Sequence, residues 1–120
     1  MKFCWTTIRV KNMEESLKFY QEICGLSVTS HITLNPDTQI AFLGDGETKL
    51  EIISNAGSEQ VDLGKDISIG FEVKVLDEHM ALVKEKGIAV HSGPFQPNPY
   101  VRFFYVIDPN GLKVQFVENL

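Results

Sequence analysis

The amino-acid sequence predicts an α+β fold made of two tandem βαβββ modules, a curved mixed sheet around a cleft with the helices on its outer face. Three observations predict it. Strand- and helix-patterned segments run in one order up to about residue 55, and in the same order again from about residue 66. Short matches join the two passes at an offset of 62 to 64: Val10-Lys11 with Val73-Lys74, Gly25–Val28 with Gly87–Val90, and Lys49-Leu50-Glu51 with Lys113-Val114-Gln115. Turn-forming clusters separate the segments where antiparallel strands need them. Each match is weak alone, but their common register makes duplication the most economical account.

In the first pass, residues 3–10 are rich in β-branched and aromatic side chains and read as a strand. Asn12 then stands where a helix cap belongs, and Glu15 three positions on completes a capping pattern. Met13, Leu17, Tyr20 and Cys24 recur at helical spacing, with Phe19 and Ile23 beside them, and Gly25 supplies the stop. Strands follow at about 26–33, 38–43 and 48–54, divided by Asn35-Pro36-Asp37 and Gly44-Asp45-Gly46. The polar segment 56–65 reads as a linker between modules 1–55 and 66–120 of a single domain spanning 1–120. In the second pass Ile67, Ile69, Phe71 and Val73 alternate as a strand with one buried face. Leu76 to Lys86 carries helical spacing and ends at Gly87. Strands are then expected near 88–91, 100–107 and 112–118, with Asp108-Pro109-Asn110-Gly111 as the sharpest turn signal. The loop 93–99, holding three of the five prolines, is expected either to line one end of the cleft or to stiffen a connection.

A chain of 120 residues is the length of one ordinary domain, able to bury roughly two-thirds of its unfolded surface. Hydrophobic residues at 43% and charged residues at 22% exclude a disordered or coiled-coil chain. Eleven basic against sixteen acidic residues leave a formal charge of −5, so no basic stripe is available for nucleic acid. No segment approaches the roughly 20 apolar residues of a membrane span, and the start of the chain has no signal-peptide core. A cytoplasmic protein with reduced thiols is expected, with Cys4 and Cys24 as core residues.

Period-two alternation sorts the strands into two faces. Counting from a turn over Asp108–Gly111 pairs Ile107 with Leu112 and sets Gln115 opposite Phe104. That count gathers Phe103, Tyr105, Ile107, Val114 and Phe116 on the helix-covered face. It leaves Arg102, Phe104, Val106, Lys113 and Gln115 on the other. The same count opposes Glu51 to Ile40. In the first strands Cys4, Thr6, Ile8 and Val10 fall under the helix, while Trp5, Thr7 and Arg9 lie on the open face with Ser68, Gly70 and Glu72 of the second pass.

With these elements in place, the chain resembles the vicinal oxygen chelate superfamily of glyoxalases, bleomycin-resistance proteins and extradiol dioxygenases. The resemblance is carried by the paired βαβββ order, by Ser16-Leu17-Lys18-Phe19-Tyr20 leading into Gly25-Leu26, and by Phe104–Gly111 followed by Val114-Gln115-Phe116-Val117. It implies a homodimer and a divalent cation held by one residue from the first and last strand of each unit. Those positions fall here on Trp5, Glu51, Ser68 and Gln115. Glu51 and Gln115 offer oxygen, but an indole has no lone pair to give and a serine hydroxyl is a weak neutral ligand. His31, His79 and His91 form no HxH or HxxxH pair and read as surface or edge residues, His79 on the solvent side of its helix.

The expectation is therefore a small-molecule-binding protein without the family's metal, engaging its ligand through Trp5, Thr7, Glu51, Ser68, Arg102, Phe104 and Gln115. Trp5 either stacks on a ligand or plugs the cleft. Glu51 is either a general base in an apolar cleft or the partner of Arg102. A glyoxalase-like lyase or isomerase using Glu51 with a metal is the alternative, and a non-catalytic interaction domain a third.

Overall fold

The computed structural model describes residues 1–57 and 60–120, so Ser58 and Glu59 of the expected linker lie outside the described residues. Its elements are β1 (Trp5–Arg9), α1 (Met13–Glu22), β2 (Val28–Asn35), β3 (Thr38–Leu43) and β4 (Lys49–Asn55), then β5 (Ser68–Glu72), α2 (Leu76–Glu85), β6 (Ser92–Asn98), β7 (Val101–Ile107) and β8 (Lys113–Asn119). They form two compact units, Met1–Leu63 and Gly64–Leu120. The two βαβββ modules of the sequence are both present. No described helix is long and apolar enough to cross a membrane.

In the N-terminal module the sheet order is β1-β4-β3-β2, with β1 parallel to β4 and the other pairs antiparallel. Asn12 caps α1 through its side-chain oxygen, which accepts from the Glu15 backbone N–H at 2.9 Å. Met13, Ser16, Phe19, Tyr20 and Ile23 recur every three or four residues and are buried, so one stripe of α1 faces the sheet. The helix packs on β4, and Ile8, Val10, Ala41, Leu43, Leu50 and Ile52 complete the core beneath it. Gly25 follows with φ +70°, a left-handed turn that glycine adopts without strain.

The C-terminal module repeats the order as β5-β8-β7-β6, with β5 parallel to β8. Here α2 packs on β8. Leu76, Val83, Phe104, Val106, Leu112, Val114 and Phe116 form its core. Val75 occupies the cap position of α2 without a side-chain bond, and Glu118 Oε2 accepts from the Leu76 N–H at 3.4 Å instead. A carboxylate there also complements the positive end of the helix dipole.

Three expectations about elements and side chains are corrected. The strand expected at 88–91 lies later, at Ser92–Asn98, within the proline-rich loop. Prolines are tolerated because β6 is an edge strand whose register with β7 is irregular. His79 is half-buried, with its ring 4.2 Å from that of Phe116 and 6.3 Å from that of Phe104, so it faces the sheet rather than solvent. Cys4 is exposed just ahead of β1, because helix cover begins only further along that strand, and Cys24 is half-buried.

Candidate functional site

Each sheet has one face covered by its helix and one open. On the open face of the N-terminal module the parallel ladder pairs Trp5 with Lys49, Thr7 with Glu51 and Arg9 with Ile53. Side chains alternate along both strands, so all six share this face. The Thr7 hydroxyl donates to Glu51 Oε1 at 2.5 Å, and Arg9 donates to Asn55 Oδ1. Trp5 is 48% exposed and stands edge-on to Phe42, ring centroids 5.3 Å apart. A hollow of about 450 Å³ opens beside this pair, lined among others by Lys2, Thr29, Ser30 and Glu47. Lys49 also lines it, with its ammonium donating to the Gly44 carbonyl at 3.2 Å.

Glu51 lies opposite Phe42, two residues from the expected Ile40. An even shift preserves the face, so Glu51 still points away from α1.

The last hairpin is different. Its observed register pairs Ile107 with Lys113, Tyr105 with Gln115 and Phe104 with Phe116. The turn takes in one residue more than expected. Asp108 Oδ1 accepts from the N–H groups of Asn110 and Leu112, both at 2.8 Å, while the Asp108 N–H donates to the Leu112 carbonyl. Leu112 is thereby held in the turn instead of opening the ladder.

A shift of one residue exchanges the faces of β7. Phe104 is consequently fully buried, its ring 5.4 Å from Phe116, and cannot touch a ligand on the open face. Arg102 follows the same parity toward α2, where it donates to Asp77 at 3.1 Å. The expectation that Arg102 lies on the open face is overturned, and with it the alternative that pairs it with Glu51. In their place the open face carries Phe103 and Tyr105. Phe103 lies 5.5 Å from Phe95 and 5.7 Å from Tyr105 by ring centroids. One parity of β7 is wholly apolar or aromatic and the other carries Arg102, so composition favours burying Phe103 and Tyr105, the set that the structure leaves open. The only available signal was the ability of Asp108 to hold a longer turn.

The remaining residues of this face are Ser68, Gly70 and Glu72, which pair with Lys113, Gln115 and Val117. Gln115 Nε2 donates to the Tyr105 hydroxyl at 3.2 Å. A Cβ at Gly70 would come within 3.1 Å of Gln115 Oε1, so glycine leaves the amide room to lie across β5. The two modules thus place equivalent residues diagonally across a parallel strand pair: Trp5 near Glu51, and Ser68 near Gln115.

The Glyoxalase/Bleomycin resistance protein/Dioxygenase superfamily matches residues 2–116. This chain belongs to that superfamily. A lactoylglutathione lyase of Neisseria meningitidis is 33% identical over 99% of the chain and 91% of its own length. One of Haemophilus influenzae is 30% identical over 99% and 93%. Among solved structures, the trypanothione-dependent glyoxalase I of Leishmania major superposes with a TM-score of 0.85 at 23% identity, covering 98% of this chain and 86% of its own. An antibiotic-binding protein of a Streptomyces species does so with a TM-score of 0.78 at 17% identity, covering 100% and 97%. Those two likenesses establish the fold.

The positions at which the resemblance implies a divalent cation are those of Trp5, Glu51, Ser68 and Gln115. The donor chemistry does not fit such an ion. Trp5 offers only an N–H, Ser68 a neutral hydroxyl, and one Glu51 oxygen already accepts from Thr7. Among the described residues, no three His, Cys, Asp or Glu side chains gather at any point. His31 is exposed with Nε2 3.0 Å from Gln39 Oε1, and His91 is exposed with Nδ1 3.1 Å from the Ser92 hydroxyl.

Proposed function

We propose that this chain binds a small organic molecule on the open sheet face of its N-terminal module, with Trp5 as the principal contact and no part taken by a divalent cation. One observation carries the reading: a half-exposed indole, propped edge-on by Phe42, stands at a hollow of about 450 Å³. That volume is within the range of small-molecule sites, where aromatic walls and a few polar groups recognise the ligand. The indole face supplies apolar contact and its N–H one donor. Thr7 and Glu51 present a hydroxyl and a carboxylate two residues along.

Binding is tested by a thermal-shift panel of small aromatic compounds, followed by titration of the hits. Replacing Trp5 with Ala should weaken binding by about tenfold or more, equivalent to roughly 1–3 kcal/mol, with the fold intact. Equal affinity in parent and variant would remove Trp5 from the site.

A second reading is favoured by the 33% identity to a lactoylglutathione lyase. In it the chain is a lyase or isomerase, with Glu51 taking a proton from the substrate. Metal analysis of the purified protein and a lactoylglutathione lyase assay separate the two. Stoichiometric metal, with activity lost to chelator and to Glu51→Gln, would replace the first reading with this one.

A further inference from the structure

The C-terminal module has a hollow that the proposed function leaves unused. About 270 Å³ in volume, it is lined by Gly64, Lys65, His91, Ile107, Gly111 and Lys113. Two lysines and a histidine line it, and no Asp or Glu is among its lining residues, in a chain whose formal charge is −5. The acidic residues closest in sequence do not neutralise it from within. Asp62 and Asp66 lie outside the lining. Asp108 is buried in its turn, where its carboxylate accepts from Asn110 and Leu112. Cationic side chains are therefore gathered at one spot against the overall charge.

Lys113 connects this hollow to the open face. Its ammonium lies over the Tyr105 ring, 4.6 Å from the centroid. Tyr105 begins a row that continues through Phe103 to Phe95. An ammonium held on an aromatic face is partly desolvated and still has donors to offer an anion. His91 adds a ring whose Nδ1 is engaged by Ser92, leaving Nε2 as its other hydrogen-bonding atom.

We infer that Lys65, His91 and Lys113 form an oxyanion site, which receives the carboxylate or phosphate of a ligand whose aromatic body meets the Tyr105–Phe103–Phe95 row. The charge specifies the class of ligand group, and the row supplies apolar area that a free inorganic anion cannot use. The inference does not depend on the Trp5 site, since all its residues belong to the C-terminal module.

The full-length chain is titrated with phenyl phosphate, benzoate, inorganic phosphate and benzylamine while amide and aromatic NMR signals are followed. Phenyl phosphate and benzoate should shift His91, Tyr105 and Lys113 and leave the Trp5 indole signal in place. Binding should weaken with added salt. Lys65→Gln and Lys113→Gln should each weaken it about fivefold, the scale of one half-exposed ion pair. Inorganic phosphate binding as tightly as phenyl phosphate would remove the aromatic row from the site. Benzylamine binding equally well, or shifts confined to Trp5 and Phe42, would overturn the inference, the latter while supporting the N-terminal site. Lys65 is exposed, so loss of fold does not confuse its variant.

Discussion

The two adjacent phenylalanines of β7 offer a direct test of the register that separates the core from the open face. Phe104 is 0% exposed and packs against Phe116, whereas Phe103 is half-buried and contacts Phe95 and Tyr105. Truncating Phe104 to Ala removes a ring whose burial is worth roughly 1.5–3 kcal/mol in transfer alone. The void left under α2 adds a cavity term, and the total loss should be about 3–5 kcal/mol. Phe103→Ala removes one edge-on and one tilted ring contact at a surface already open to water, a loss of about 1 kcal/mol. Urea unfolding followed by circular dichroism measures both, and at roughly 3–5 °C per kcal/mol the melting temperatures should differ by about 10 °C. A larger loss from Phe103→Ala than from Phe104→Ala would refute the register, and would restore Phe104 and Arg102 to the open face.

Asp108→Ala strips the buried turn of an acceptor for two backbone N–H groups and should cost about 2–3 kcal/mol, read from the urea midpoint at unchanged slope. Asn12→Ala removes the α1 cap and should cost about 1 kcal/mol by the same measurement. Val75→Asn should instead stabilise by about 0.5–1 kcal/mol. Residue 75 has the extended backbone of a cap position, is 43% exposed and supplies no capping bond of its own. In the folded protein Cys4 should react with a thiol reagent well before Cys24, and equal rates would place Cys4 under cover.

Much of the fold was legible because local chemistry and tertiary packing agree. Asn12 and Glu15 announced α1, and its cap bond joins those two residues. Thr38–Leu43 was expected at 38–43 and occurs there. Departures arise where one local signal competes with another. Prolines in β6 argued for a loop, and only the edge position in the sheet makes them acceptable in a strand. His79 is polar, which points to solvent, yet its place on α2 sets the ring over Phe116. Of the candidate ligand contacts, Trp5, Thr7 and Glu51 share the open face of one sheet, and Ser68 and Gln115 that of the other. Phe104 and Arg102 lie on a helix-covered face.

From sequence alone came the duplicated βαβββ order, both helices, and the parity of β1, β4, β5 and β8. Periodicity and turn chemistry act over a few residues, so a linear chain displays them openly. The parity of β7 was decided only in three dimensions. The set that enters the core includes Arg102, which reaches Asp77 at the edge, and the choice rests on where the Asp108 carboxylate closes the turn. That single residue of register buries Phe104, turns Arg102 toward Asp77, and brings Tyr105 beside Gln115 and Lys113.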